Sequence, residues 1–133
     1  MQRLPAGICK MTCLTHLNLA GNSLDQQSLP PCIAQLSRLR VLFFLGNAFT
    51  EVPPVIASLS ALETLSFKKN RLRQLGEDTL PVSLRALIVT NNELQWLPRS
   101  LGKLSELRKL MASRNRCARA FTSLPLPLGS SGR

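Results

Sequence analysis

The sequence predicts an α/β solenoid, with a curved parallel β-sheet on the concave face and short helical or 3₁₀ turns on the convex face. Three observations predict it: a repeated apolar frame, an asparagine at one fixed place in each frame, and a proline-led segment between frames. Residues 14–24 read LTHLNLAGNSL, residues 39–49 LRVLFFLGNAF, residues 62–72 LETLSFKKNRL, residues 84–94 LRALIVTNNEL and residues 107–117 LRKLMASRNRC. All follow L-x-x-L-x-L-x-x-N-x-L, with conservative replacements at places six and eleven. The frames start at Leu14, Leu39, Leu62, Leu84 and Leu107, separated by 25, 23, 22 and 23 residues. Self-similarity at such a period marks architectures in which each unit buries its apolar face on the next.

Each frame is expected to form one strand. The apolar residues at places one, four, six and eleven point inward and stack on the same places of the next repeat. The second frame holds an unbroken apolar run, Val41 to Leu45. A half-buried strand alternates apolar with polar residues, because successive side chains point to opposite faces. The frame puts Leu42 and Phe44 inward, which leaves Val41, Phe43 and Leu45 on the open concave face.

The segments between frames share a second pattern. Residues 4–14 read LPAGICKMTCL, residues 29–39 LPPCIAQLSRL, residues 52–62 VPPVIASLSAL and residues 97–107 LPRSLGKLSEL. Proline after the first apolar residue ends the strand region, and apolar residues three apart suit a 3₁₀ or helical turn. The third repeat departs from this with LGEDTLPVSL at residues 75–84. The first carries two extra residues, placed near Asp25 to Ser28.

The repeated frame resembles the leucine-rich repeat family. Its length is similar to the typical intracellular type, as in Ras-group proteins and in bacterial proteins that join such repeats to a protein kinase. Residues 80–98, LPVSLRALIVTNNELQWLP, also resemble the shorter repeats of bacterial ubiquitin-ligase effectors. No Gly-rich loop and no HRD-like or DFG-like stretch is present, so no kinase is expected within the sequence. The resemblance implies an architectural asparagine ladder, Asn22, Asn47, Asn70, Asn92 and Asn115, whose side chains bond backbone groups that would otherwise be buried unpaired. It also implies recognition of a protein partner through the concave face, in signal transduction or assembly. The repeat domain is expected over 1–117, about five repeats without polar caps, and a Pro/Ser/Gly-rich flexible tail over 118–133. Uncapped ends suggest a fragment, a truncated reading frame, or ends covered by partners or by self-association.

Composition narrows the function classes. Seventeen Lys and Arg against seven Asp and Glu give a net charge of +10, which favours an acidic partner. The cysteines Cys9, Cys13, Cys32 and Cys117 form no CxxC pair, and no histidine stands at a zinc-finger offset. They read as free thiols in a reducing compartment. No signal-peptide pattern and no stretch of about 20 apolar residues is visible, so a cytoplasmic protein without a membrane span is expected.

The concave columns supply the candidate site. Place five holds Asn18, Phe43, Ser66, Ile88 and Met111, and place seven holds Ala20, Leu45, Lys68, Thr90 and Ser113. Val41 at place three and Lys69 and Arg114 at place eight border them. The candidate partner-binding set is therefore Val41, Phe43, Leu45, Lys68, Lys69, Ile88, Met111 and Arg114. Clustered apolar groups on one exposed surface point to an interaction site. No catalytic set is expected: His16 has Val41 and Thr64 beside it in its column, and the acids are scattered. No cofactor or metal is expected. Nucleic acid is the weaker partner class, because base stacking wants aromatics among the basic groups and Phe43 stands apart from Lys68 and Lys69.

Overall fold

The computed structural model describes residues 4–116. Cys117 and the tail over 118–133 lie outside the described residues, as do Met1 to Arg3. Five three-residue strands form one parallel sheet in chain order: β1 His16–Asn18, β2 Val41–Phe43, β3 Thr64–Ser66, β4 Ala86–Ile88 and β5 Lys109–Met111. Place three pairs with place three throughout, from His16 through Val41, Thr64 and Ala86 to Lys109. The ladder of backbone bonds runs on past each strand. Phe44 N–H donates to Ser66 C=O at 2.8 Å, and Gly46 N–H to Lys68 C=O at 3.0 Å.

The backs of four repeats are 3₁₀ turns: η1 Ala6–Lys10, η2 Pro31–Gln35, η3 Pro54–Ser58 and η4 Arg99–Lys103. Each follows an extended proline, Pro5, Pro30, Pro53 or Pro98. Proline has no N–H, so it cannot extend a turn backwards, but its carbonyl can start one. Pro53 C=O accepts from Ile56 N–H at 3.1 Å, three residues on. In the third repeat Gly76 stands where the proline would be, and no 3₁₀ turn forms over residues 75–84. There Thr79 Oγ1 donates to Gly76 C=O at 2.8 Å. The extra residues of the first repeat make a local turn, with Ser28 N–H donating to Asp25 C=O at 3.0 Å and Asp25 N–H to Ser28 Oγ at 2.9 Å.

The core lies between sheet and back, and the inward places fill it. At place one Leu39, Leu62, Leu84 and Leu107 are buried, and at place four Leu42, Leu65 and Leu87. Burial falls off in the outer strands, where Leu17, Leu110 and Ala112 are half-buried. The centre is aromatic. Phe44, Phe49 and Phe67 are fully buried, with ring centroids 4.7, 5.0 and 5.2 Å apart. Phe44 and Phe67 hold place six of adjacent repeats and stack.

The cysteines correct the expectation of four free thiols. Cys9 in η1 and Cys32 in η2 form a disulfide. Adjacent repeats stack η1 on η2, which brings the two Cα atoms within 5.7 Å, inside the range a disulfide spans. Cys13 is free and exposed.

Candidate functional site

The asparagines form a ladder beneath the turns that follow the strands. Asn47 Nδ2 donates to Phe44 C=O of its own repeat at 3.0 Å and to Leu19 C=O of the preceding repeat at 2.9 Å. Its Oδ1 accepts from Asn22 N–H at 3.0 Å and Leu24 N–H at 2.9 Å. Asn70, Asn92 and Asn115 repeat the arrangement. Asn22 bonds within its own repeat, to Leu19 C=O and Ala20 C=O. These side chains are committed to backbone groups and are not available to a ligand.

Above this ladder the concave face opens into a trough of about 320 Å³. Places five and seven of all five repeats line it, and apolar side chains dominate it. Phe43, Leu45, Lys68, Ile88 and Met111 of the candidate set meet there. Leu45 and Met111 are exposed, and Phe43 and Ile88 are half-buried. The remaining three candidates stand outside the trough. Val41 is half-buried at place three of the sheet, and Lys69 and Arg114 sit on the turn rim. The trough also takes in Asn18, Ala20, Ser66, Thr90 and Ser113, smaller or polar residues at the same two places. Their place in the frame was the signal that could have added them.

Place eight has a conformational role of its own. Gly21, Gly46, Lys69, Asn91 and Arg114 all adopt positive φ, between 58° and 70°. The chain must turn sharply there to bring the asparagine under the strand end. Glycine enters this region without a Cβ clash, whereas Lys69 and Arg114 occupy it against their preference.

The rims carry positive charge. On the turn side Lys68, Lys69, Arg71, Arg73, Arg114 and Arg116 are exposed, and on the opposite side Arg85, Arg108 and Lys109. Arg40 Nη2 pairs with Glu63 Oε1 at 3.1 Å across the repeat, and Lys103 Nζ with Asp78 at 3.4 Å on the back. Among the described residues, the rim cations of repeats three to five have no carboxylate within salt-bridge distance.

The only titration shifted clearly among the described groups lies behind the sheet. Glu77 Oε1 accepts from Ser100 N–H at 2.9 Å and Oε2 from Arg99 N–H at 3.1 Å, at the start of η4. Bonds from Ser100, first its backbone and then its side chain, hold the carboxyl below the ordinary glutamate range. Arg99 N–H and the Lys103 charge add to them. The irregular third repeat thus caps the turn of the fourth.

His16 Nδ1 lies 3.0 Å from Thr15 Oγ1, and Val41 faces it across the sheet. Among the same residues no group of three or more His, Cys, Asp or Glu could hold a metal ion, and no helix is long and apolar enough to cross a membrane.

The family described as Leucine Rich Repeat matches residues 13–36. No curated protein sequence matches the chain. Solved structures do. A leucine-rich repeat protein of Leptospira interrogans is 30% identical over 90% of this chain and 36% of its own, with a TM-score of 0.69. The leucine-rich repeat domain of the type III effector XopL is 22% identical over 98% of this chain and 50% of its own, with a TM-score of 0.73. A chain of the complex of Latrophilin 3, Unc5D and the leucine-rich repeat part of FLRT2 is 18% identical over 86% of this chain and 49% of its own, with a TM-score of 0.58. This chain therefore spans half or less of the length of these structures. Five in-phase frames, a parallel sheet joined by short 3₁₀ turns, and these matches together make the chain a leucine-rich repeat protein.

Proposed function

We propose that the chain is a protein-binding module that seats its partner in the concave trough. The observation that carries this reading is the trough itself, in which the apolar side chains of four different repeats converge on an open surface. A monomer gains little by exposing such groups together, and contiguous apolar surface marks interaction sites. The FLRT2 repeats, whose fold this chain shares, belong to a multi-protein complex. Signalling or assembly is the role that suits such a module, as an adaptor without catalysis of its own or as the recognition part of a larger enzyme. The cytoplasmic expectation stood on free thiols and on the lack of a signal-peptide pattern and of a membrane-spanning stretch, and the Cys9–Cys32 bond removes the first of these grounds, because disulfides persist in oxidising compartments.

The test is a pull-down with mass spectrometry, repeated with two variants. Phe43→Ala with Ile88→Ala alters the trough, and Gln74→Ala with Ser105→Ala alters exposed residues elsewhere. Partners lost with the first pair and kept with the second support the concave reading. Partners insensitive to the first pair overturn it.

A further inference from the structure

The order of side chains along the trough specifies the partner more closely. The second repeat contributes Phe43 and Leu45, the third Ser66 and Lys68, and the fourth and fifth Ile88 and Met111. Lys68 is thus the one charged residue lining the trough, with apolar residues on the repeats to either side. It has no carboxylate partner among the described residues. A carboxylate brought to it by a partner would be shielded from water by the apolar groups beside it. Charge-assisted bonds in such surroundings are shorter and stronger than those at an open surface.

The rims fit the same occupant. Lys69, Arg71 and Arg114 on one side and Arg85, Arg108 and Lys109 on the other border repeats three to five, with no paired carboxylate among the described residues. Around β1 and the turn of the second repeat the bordering residues are neutral: Asn18, Ala20, Gly21 and Gly46. One end of the trough is therefore neutral and apolar and the other is basic.

Resting on the concave reading, we propose that the occupant is a short acidic segment of a protein, with a carboxylate that pairs with Lys68 between two apolar anchors. One anchor lies over Phe43 and Leu45, and the other over Ile88 and Met111. Further carboxylates face the rim cations of repeats three to five. Five strands at about 4.8 Å spacing make a trough about 20 Å long, which about six extended residues span.

Selection of a displayed random peptide library on the full chain tests this, run in parallel on the wild type and on Lys68→Glu. The wild type is expected to enrich peptides in which an Asp or Glu stands between apolar residues. Lys68→Glu is expected to enrich Lys or Arg at that position, and each selected peptide should bind its own target at least about tenfold more tightly than the other. Wild-type peptides should also weaken with Phe43→Ala. If apolar peptides without acids emerge, and Phe43→Ala but not Lys68→Glu weakens them, the proposal fails and the concave reading stands. Peptides insensitive to both variants bind elsewhere and count against both. Enrichment of acids without apolar anchors, or complete competition by a single-stranded oligonucleotide, overturns the proposal in favour of a general polyanion surface. A library that yields no binder also overturns it, and the pull-down variants then judge the concave reading separately.

Discussion

Phe43 and Phe44 are consecutive, yet Phe44 is fully buried in the core while Phe43 lines the open trough. The pleat separates them, because successive side chains on a strand leave opposite faces. The unbroken apolar run at residues 41–45 is thus one core half and one surface half. Phe44→Ala should cost about 3–5 kcal/mol, since it removes a ring that touches Phe49 and Phe67. Phe43→Ala should leave the thermal melt nearly unchanged and weaken partner binding, as aromatic anchors at interfaces do. Thermal melts of both variants check the first half. Equal destabilisation by the two would contradict the register.

The asparagine ladder gives a graded expectation. Asn70→Ala strands the Phe49 N–H and takes one of two asparagine donors from the carbonyls of Phe44 and Phe67, which keep Asn47 and Asn92, all in the middle of the solenoid. Each buried group left unpaired costs about 1–3 kcal/mol. The Asn22 side chain bonds only within its own repeat, to two carbonyls, so Asn22→Ala should cost clearly less. Asn115 accepts from Leu94 N–H and reaches Val89 C=O in the preceding repeat, so its loss should fall between the two. Urea midpoints of the three variants give the order. A larger loss at Asn22 than at Asn70 would show that the ladder does not distribute stability this way.

The ladder and the inward leucines were legible in the sequence because both recur at one place per repeat. The trough was legible in part for the same reason. Phe43, Leu45, Lys68, Ile88 and Met111 share places five and seven, whereas Val41, Lys69 and Arg114 were drawn in from places that do not line it. The disulfide was hidden because the two cysteines do not hold matching places. By the alignment of 4–14 with 29–39, Cys9 corresponds to Ala34 and Cys32 to Gly7. Only the stagger of η1 on η2 brings them together. The Glu77 cap was hidden because it lies in the one back segment that leaves the pattern.

Place eight yields a prediction about backbone alone. Gly46 has φ +70°, and a Cβ added there would meet no atom within 4 Å. Space is therefore not the constraint, and conformation is. Gly46→Ala should destabilise by about 1–2 kcal/mol, the cost of holding an L-residue in the left-handed region. Gly7, which also has open space around its Cβ position and no positive φ, is the control. Gly7→Ala should change stability far less, and a comparison of the two melts checks it. Similar losses at both sites would point to some cause other than φ.

The Cys9–Cys32 bond links the first two back turns and closes a loop of 23 residues in sequence separation. A cross-link of that length limits the unfolded chain, and removing one typically costs about 2–4 kcal/mol. Cys9→Ser with Cys32→Ser should lower the melting temperature and raise amide exchange first in the repeat that holds β1 and η1. Local opening starts where few neighbours hold an element. Uniform exchange increases along the whole sheet would mean that the solenoid unfolds as one unit. A thiol titration of the unreduced wild type, before any substitution, should find Cys9 and Cys32 unreactive.

Glu77 sets an acid limb on stability. Its folded-state affinity for a proton is lowered, chiefly by the bonds from Ser100. A group of this sign stabilises the fold at pH above its unfolded value, where the carboxylate is ionised in both states. That contribution is lost as pH falls through the lowered folded value. Glu77→Gln keeps the shape but removes the charge that Arg99 and Ser100 N–H groups point at. The variant should therefore melt below the wild type at neutral pH, and the gap should narrow as the solution is acidified past the ordinary glutamate range. Asp78 shares only an exposed ion pair with Lys103, so Lys103→Met should shift the neutral melt little. Melting curves of wild type, Glu77→Gln and Lys103→Met from neutral to acid pH weigh the backbone cap against the surface pair, Lys103 adding only the smallest part of the Glu77 shift. A wild-type to Glu77→Gln gap that stays constant with pH would show that the carboxylate's charge contributes nothing to η4.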